Sequence, residues 1–107
     1  MTHITVKKTK TRFSMTSEGH AGYADYGTDI VCAAISILVY SFAEVCIEKE
    51  SNESASIDAM ELVDGKAVLT VDDLNGEMES AVLMLKMGLS SIEKRYPKNL
   101  SVEWAES

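Results

Sequence analysis

One helix constrains the fold of this chain more than any other feature. From Ile30 to Ala43 the sequence has no charged residue, and apolar side chains occur on every side of a helix drawn through it. Such a helix must be covered all round by a core, a membrane or a subunit interface. A membrane span needs about 20 predominantly apolar residues, whereas Ser36, Ser41 and Glu44 interrupt this run. We therefore expect no membrane contact, and a second copy of the chain, in a homodimer, over the outer face.

The alternation of apolar and polar residues predicts five strands, two before this helix and three after it. The expected strands lie at 2–8, 12–19, 57–63, 66–72 and from Leu100 to Trp104. Phe13 and Met15 fall on the inner face of the second strand. The pair Asp64-Gly65 separates the third strand from the fourth and is a strong hairpin signal, since both turn positions are expected to need a positive φ.

A second helix is predicted to begin near Asn75 and to end at Tyr96-Pro97. Apolar residues at helical spacing form one stripe along it: Met78, Val82, Leu85, Leu89 and Ile92. Gly88 lies inside this helix, where glycine costs about 1 kcal/mol relative to alanine. A close approach to a neighbouring element would compensate for that cost.

The predicted order of elements is ββαββαβ. The first helix is expected to be capped by Thr28 or Asp29 and to run to about Lys49. This order indicates an α+β fold, a five-stranded, largely antiparallel sheet packed with two helices. A length of 107 residues predicts one domain spanning 1–107.

Charge and cysteine content limit the partners and the compartment. The net charge of -7 offers no basic patch for phosphates, so we expect no direct nucleic-acid partner. Cys32 and Cys46 lie on the same predicted helix, about 21 Å apart at 1.5 Å rise per residue, too far for a disulfide, which needs Cα atoms within about 7 Å. Because Met1 leads directly into a strand and no signal peptide is visible, we expect a reduced, cytoplasmic protein.

The chemistry of the chain is concentrated between Gly19 and Ser36. Cys32 falls in the first turn of the apolar helix, where unpaired N–H groups and the helix dipole stabilise a thiolate. His20 follows Gly19 at the end of the second strand, and a histidine beside a cysteine can take its proton. Taken singly, a buried cysteine and a surface histidine are ordinary. From the residues alone, a Cys–His dyad and a purely structural pair stay equally open.

Two polar residues near this pair have both a structural and a functional interpretation. Asp29 is favoured as the helix cap, and orientation of His20 is the alternative. Ser36, one turn after Cys32, either bonds back to a carbonyl or holds the sulfur or a bound peptide. Backbone N–H groups at the helix start are candidate donors to an oxyanion.

The loop between His20 and the helix is the candidate substrate-binding segment. Its glycines and polar or aromatic residues either line a cleft or decorate a mobile connection: Gly22, Tyr23, Asp25, Tyr26 and Gly27. One histidine and one cysteine with aspartates nearby do not supply the four ligands of a structural zinc site. We expect neither a metal nor another cofactor.

The pattern G-H-A, a short loop, then D-I-V-C-A-A-x-S resembles the ribosomal-processing cysteine proteases, the Prp family. Here it is carried by Gly19 to Ala21 and by Asp29 to Ser36. The resemblance implies a homodimeric cysteine endopeptidase that removes a short N-terminal extension from a large-subunit ribosomal protein. It places the catalytic dyad on His20 and Cys32, with cleavage after aromatic residues and a loop that moves to admit the extension.

Two other function classes remain open at this stage. A non-catalytic dimeric module that binds a ribosomal protein or another assembly partner would need neither a nucleophile nor a base. A thiol-based redox sensor would use Cys32, but no resolving cysteine is expected within reach in the same subunit.

Overall fold

The structure is a computed structural model, and it describes residues 1–25 and 27–107. The predicted order ββαββαβ and the α+β class are confirmed. The elements are β1 (Thr2–Lys8), β2 (Arg12–Glu18), α1 (Ile30–Ser51), β3 (Ala55–Val63), β4 (Lys66–Asp73), α2 (Glu79–Arg95) and β5 (Leu100–Glu106).

The start of α2 differs from the prediction. The sequence placed it near Asn75, whereas the helix begins at Glu79. Backbone N–H groups of Gly76 and Met78 donate to the Asp73 carboxylate at 2.9 and 3.1 Å. This side chain holds residues 74–78 in a turn and so delays the helix.

The five strands form one mixed sheet in the order β3-β4-β2-β1-β5. The pairs β1–β2, β2–β4 and β3–β4 are antiparallel, and β1–β5 is parallel, so the sheet is largely antiparallel as expected. Glu18 at the end of β2 pairs with Lys66 at the start of β4. The β3–β4 turn therefore lies beside the residue that follows β2, which is where the candidate site begins.

The two helices and the inner sheet face enclose the core. α1 packs against β3 and α2, and α2 also packs against β5. Phe13 and Met15 are buried, as the alternation predicted. The close approach expected at Gly88 is present, because a Cβ added there would lie 2.8 Å from Leu38 Cδ1. The largest fully buried side chains are Ile4, Val6, Met15, Val31, Cys46, Leu69, Val71, Leu89 and Leu100.

The predicted hairpin at Asp64-Gly65 is present, and one detail of it was wrong. Val63 pairs with Lys66 across the turn, and Gly65 has a φ of 75°. Asp64 does not share this left-handed conformation, since Glu53 is the non-glycine residue with a positive φ in the described ranges. Only the second turn position therefore requires glycine.

α1 has one buried and one exposed apolar face. The buried face includes Val31, Ile35, Val39, Phe42, Ala43 and Cys46. The exposed face carries four large side chains that are 45–64% accessible: Ile30, Ile37, Tyr40 and Ile47. The helix is long and apolar enough to cross a membrane by length and composition, so Ser36, Ser41 and Glu44 do not make it too short to span, contrary to the prediction. Its inner face nevertheless packs in the core, as in the core helix of a globular domain.

Candidate active site

The backbone before His20 is fixed between two other segments. Gly19 N–H donates to the Gly65 carbonyl at 2.9 Å, which extends the β2–β4 pairing by one residue. Gly19 has a φ of 94°, and a Cβ at this position would lie 2.5 Å from the Met1 carbonyl oxygen. Glycine is therefore required here by both backbone conformation and space. These contacts set the point at which the chain presents His20.

The His20 side chain is exposed and lies against the β3–β4 turn. A Cβ added to Gly65 would be 2.9 Å from His20 Nε2 and 3.3 Å from Cε1. The imidazole thus occupies space that any side chain at position 65 would need.

Cys32 lies in the first turn of α1 and is half-buried. Asp29 caps this helix: its Oδ1 accepts the Cys32 N–H at 2.9 Å. Thr28, the other cap considered, instead donates its hydroxyl to the Asp25 carbonyl at 3.0 Å. Asp29 Oδ2 accepts the Tyr23 N–H at 2.9 Å, so the same carboxylate joins the loop to the helix.

The pKa of Asp29 lies below its usual value. Burial opposes ionisation of this carboxyl and is the largest single influence on its pKa. Hydrogen bonds from the backbone N–H groups of Cys32, Ala24, Tyr23 and Val31 together outweigh it and lower the pKa. Asp29 is therefore a carboxylate at neutral pH, as its capping role requires.

Two N–H groups at the helix start, which the sequence offered as oxyanion donors, are already engaged. Cys32 N–H donates to the Asp29 side chain, and Ala33 N–H donates to the Asp29 carbonyl at 3.0 Å. For the Cys32 N–H to stabilise an oxyanion, Asp29 Oδ1 would have to release it.

Two adjoining cavities meet at the predicted catalytic pair. Five of the described residues line both cavities: His20, Cys32, Ser36, Tyr40 and Asp64. The larger cavity, of about 600 Å³, also extends along Gly22, Ala24 and Gly27. The structure thus brings His20, Cys32 and Ser36 to one site, although no hydrogen bond between His20 and Cys32 occurs among the described residues. Catalytic hydrogen bonds are often long before substrate binds.

The predicted loop residues divide into two groups. Gly22 and Gly27 line the larger cavity. The Tyr23 ring instead packs edge-on against Tyr96, with ring centroids 5.4 Å apart. The Asp25 carbonyl accepts the Thr28 N–H at 3.0 Å. Asp25 is not among the described residues that line either cavity. Tyr26 lies outside the described residues.

Sequence reasoning missed Tyr40 and Asp64, which line both cavities, and Gly65, which lines the smaller one. Tyr40 lies two turns after Cys32 on α1, a spacing that places both on related faces of a helix. Asp64 and Gly65 were assigned only to a hairpin turn. They lie at the site because β4 is the neighbour of β2 in the sheet. A local sequence motif does not predict which strands are neighbours.

The second cysteine is separate from this site. Cys46 is fully buried in the core, and burial raises the pKa of its thiol to about 12. Cys46 is therefore an inert core thiol. No cluster of three metal-ligating side chains occurs in residues 1–25 and 27–107.

Comparison with known proteins gives one consistent family. The chain is 28% identical over 87 residues to the ribosomal processing cysteine protease Prp of Staphylococcus aureus, covering 81% of each chain. Its fold resembles the crystal structure of Staphylococcus aureus Prp with a covalently linked product peptide, with a TM-score of 0.78, 23% identity and coverage of 97% and 99%. A Streptococcus mutans protein gives a TM-score of 0.70 at 22% identity, with coverage of 100% and 96%. The family model described as cysteine protease Prp matches residues 1–101, and the chain therefore belongs to the Prp family of cysteine proteases.

Proposed function

We propose that this cysteine protease removes a short N-terminal extension from the precursor of a large-subunit ribosomal protein, with Cys32 as nucleophile and His20 as general base. The observation that carries the assignment of the dyad is that both side chains line the same two cavities. The Staphylococcus aureus relative is named as a ribosomal processing protease, which supports the substrate class.

The mechanism follows from the chemistry of a thiol and an imidazole. His20 takes the Cys32 proton, and the sulfur attacks the scissile carbonyl carbon to form a tetrahedral intermediate. His20 then gives that proton to the departing amine, and the carbon–nitrogen bond breaks to leave a thioester on Cys32. Water, deprotonated by His20, attacks the thioester and releases the new carboxyl terminus together with the free thiol.

The larger cavity is the proposed place for the extension. It is open along the loop at Gly22, Ala24 and Gly27, where the lack of bulky side chains lets an extended peptide approach the backbone. A Staphylococcus aureus Prp structure contains a substrate peptide, and its fold matches this chain with a TM-score of 0.64. We place the residue before the scissile bond, expected to be aromatic, beside Cys32 and Ser36 in this cavity.

A second copy of the chain is the proposed cover for the outer face of α1. Ile30, Ile37 and Ile47 are exposed there, together with Tyr40, at spacings of three and seven residues along one face. Tyr40 also lines both cavities, so a partner on this face would border the active site. We place the homodimer in the cytoplasm, where a catalytic thiol stays reduced and where the free thiols Cys32 and Cys46 are expected.

The proposal is tested by mass spectrometry of the N-terminal peptide of the host's own large-subunit precursor, mixed with wild type, Cys32→Ala or Cys46→Ala. Cleavage at a single bond by wild type and Cys46→Ala, and none by Cys32→Ala, is the expected result. A peptide that binds wild type and Cys32→Ala equally and stays intact would contradict it, and would favour a non-catalytic binding module.

A further inference from the structure

The β3–β4 turn is in direct contact with the proposed general base, although 44 residues separate Gly65 from His20. His20 Nε2 lies 2.9 Å from the position that a Cβ on Gly65 would occupy, and Cε1 and Cδ2 lie 3.3 and 3.7 Å from it. Three ring atoms of the imidazole therefore face the turn. Real Cβ atoms essentially never approach another heavy atom this closely, so the ring must shift to admit a side chain at position 65.

The same turn also holds the backbone from which His20 extends. The Gly65 carbonyl accepts the Gly19 N–H at 2.9 Å, directly after the Glu18–Lys66 pair that ends the β2–β4 ladder. Gly65 thus meets the Gly19-His20 segment twice, through a backbone hydrogen bond and through contact with the ring. Asp64, its neighbour in the turn, lines both cavities with Cys32.

We propose that Gly65 is a positioning residue for His20: its missing side chain provides the place where the imidazole rests opposite Cys32. This inference rests on the proposed Cys32–His20 dyad. It adds the β3–β4 turn to the two sequence motifs, G-H-A and D-I-V-C, that form the site. An alanine at position 65 would displace the imidazole, because the three heavy atoms nearest to its Cβ all belong to the His20 ring.

The chain contains a close control for Gly65→Ala. Gly65 and Gly76 have φ values of 75° and 78°, so alanine meets nearly the same backbone strain at both positions. A Cβ at Gly76 would have no heavy atom within 4 Å, whereas a Cβ at Gly65 would meet the His20 ring. The difference between the two variants isolates the contact with His20 from the cost of a left-handed alanine.

The first test measures the rate of Cys32 alkylation by iodoacetamide as a function of pH, which requires no peptide substrate. Buried Cys46, whose pKa is raised to about 12, does not compete in the folded protein. Wild type, Gly65→Ala, Gly76→Ala and His20→Ala are compared. We expect the pH profile of Gly65→Ala to shift towards that of His20→Ala, and the profile of Gly76→Ala to match wild type.

The outcomes separate this inference from the dyad itself. If His20→Ala changes the profile and Gly65→Ala keeps that of wild type, the positioning role is wrong and the dyad stands. If His20→Ala leaves the profile unchanged, both the dyad and the positioning role are wrong.

A spectroscopic measurement guards against poor folding of Gly65→Ala. The chain has two histidines, His3 and His20, so their imidazole Cε1–H signals are assigned by comparison with His20→Ala. In folded Gly65→Ala we expect the His20 signal to move and the His3 signal to stay, and in Gly76→Ala neither signal to move. An unmoved His20 signal in Gly65→Ala would overturn the proposal.

Discussion

The Asp29 carboxylate accepts the backbone N–H of Cys32 at 2.9 Å, so the residue that caps α1 is hydrogen-bonded to the backbone of the proposed nucleophilic residue. Its other oxygen accepts the N–H groups of Tyr23 and Ala24 at 2.9 and 3.3 Å. One side chain thus fixes the start of the helix and the beginning of the loop that follows His20. This carboxylate therefore links the orientation of the helix start to that of the loop.

We expect Asp29→Ala to destabilise the protein by about 1–2 kcal/mol, since loss of a helix cap costs about 0.5–2 kcal/mol and two loop N–H groups also lose their acceptor. Thr28→Ala is the control, because Thr28 donates to Asp25 and does not cap the helix. Urea unfolding at pH 7 measures both variants. Equal losses for the two substitutions would contradict the assignment of the cap.

The stabilisation from Asp29 should disappear in acid. Its pKa is lowered in the folded protein, whereas an unfolded aspartate has a pKa of about 3.9. The unfolded state therefore takes up a proton first, and the contribution is complete above about pH 4 and is lost as the pH falls through the folded value. We expect the stability difference between wild type and Asp29→Asn to be constant near neutrality and to shrink below about pH 4. A difference that grows in acid would contradict this sign.

The effect of a substitution at Gly88 on the free energy of unfolding should depend on the side chain at Leu38. Alanine in a helix is favoured over glycine by about 1 kcal/mol, but a Cβ at Gly88 would lie 2.8 Å from Leu38 Cδ1 and 2.9 Å from Cδ2. We expect Gly88→Ala to give little or no stabilisation in wild type and about 1 kcal/mol in a Leu38→Ala background. Thermal or urea unfolding of the four proteins in this cycle measures the coupling. The same effect in both backgrounds would show that the contact does not matter.

The exposed face of α1 offers a test of the proposed homodimer. Ile37 is 64% exposed on this face, and Leu83 is 57% exposed on a face of α2 that borders Lys8 and Glu106 and not α1. We expect Ile37→Glu to sediment as a monomer and Leu83→Glu to keep the association state of wild type, because a carboxylate cannot be buried unpaired in an apolar interface. Sedimentation velocity over a range of concentrations measures this. A wild type that is monomeric throughout, or a dimer unaffected by Ile37→Glu, would exclude this face.

Local patterns in the sequence predicted most of the fold. Alternation located every strand, as the burial of Phe13 and Met15 illustrates. The start of α2 was placed four residues too early because the Asp73 side chain binds the backbone N–H groups of the following turn. This local hydrogen bonding leaves no trace in the spacing of apolar residues. The prediction for Asp64 failed because only Gly65 needs a left-handed φ in this turn.

The candidate site was predictable only where its residues are neighbours in sequence. His20 and Cys32 are joined by one short loop, and a strand end and a helix start so connected tend to lie side by side. Gly65 and Asp64 reach the site because β4 pairs with β2, and strand order is a tertiary property that alternation does not encode. The engagement of the Cys32 N–H by Asp29 likewise depends on side-chain geometry.

The most direct test of the account compares kcat/KM for one precursor peptide among wild type, Cys32→Ala, His20→Ala and Cys46→Ala. We expect Cys46→Ala to cleave at a rate near that of wild type. Cys32→Ala should show no cleavage. In His20→Ala, kcat/KM should fall about 10²–10⁴-fold, the usual contribution of a general base. Cleavage by Cys32→Ala at the rate of wild type, or an unchanged rate in His20→Ala, would contradict the proposed dyad.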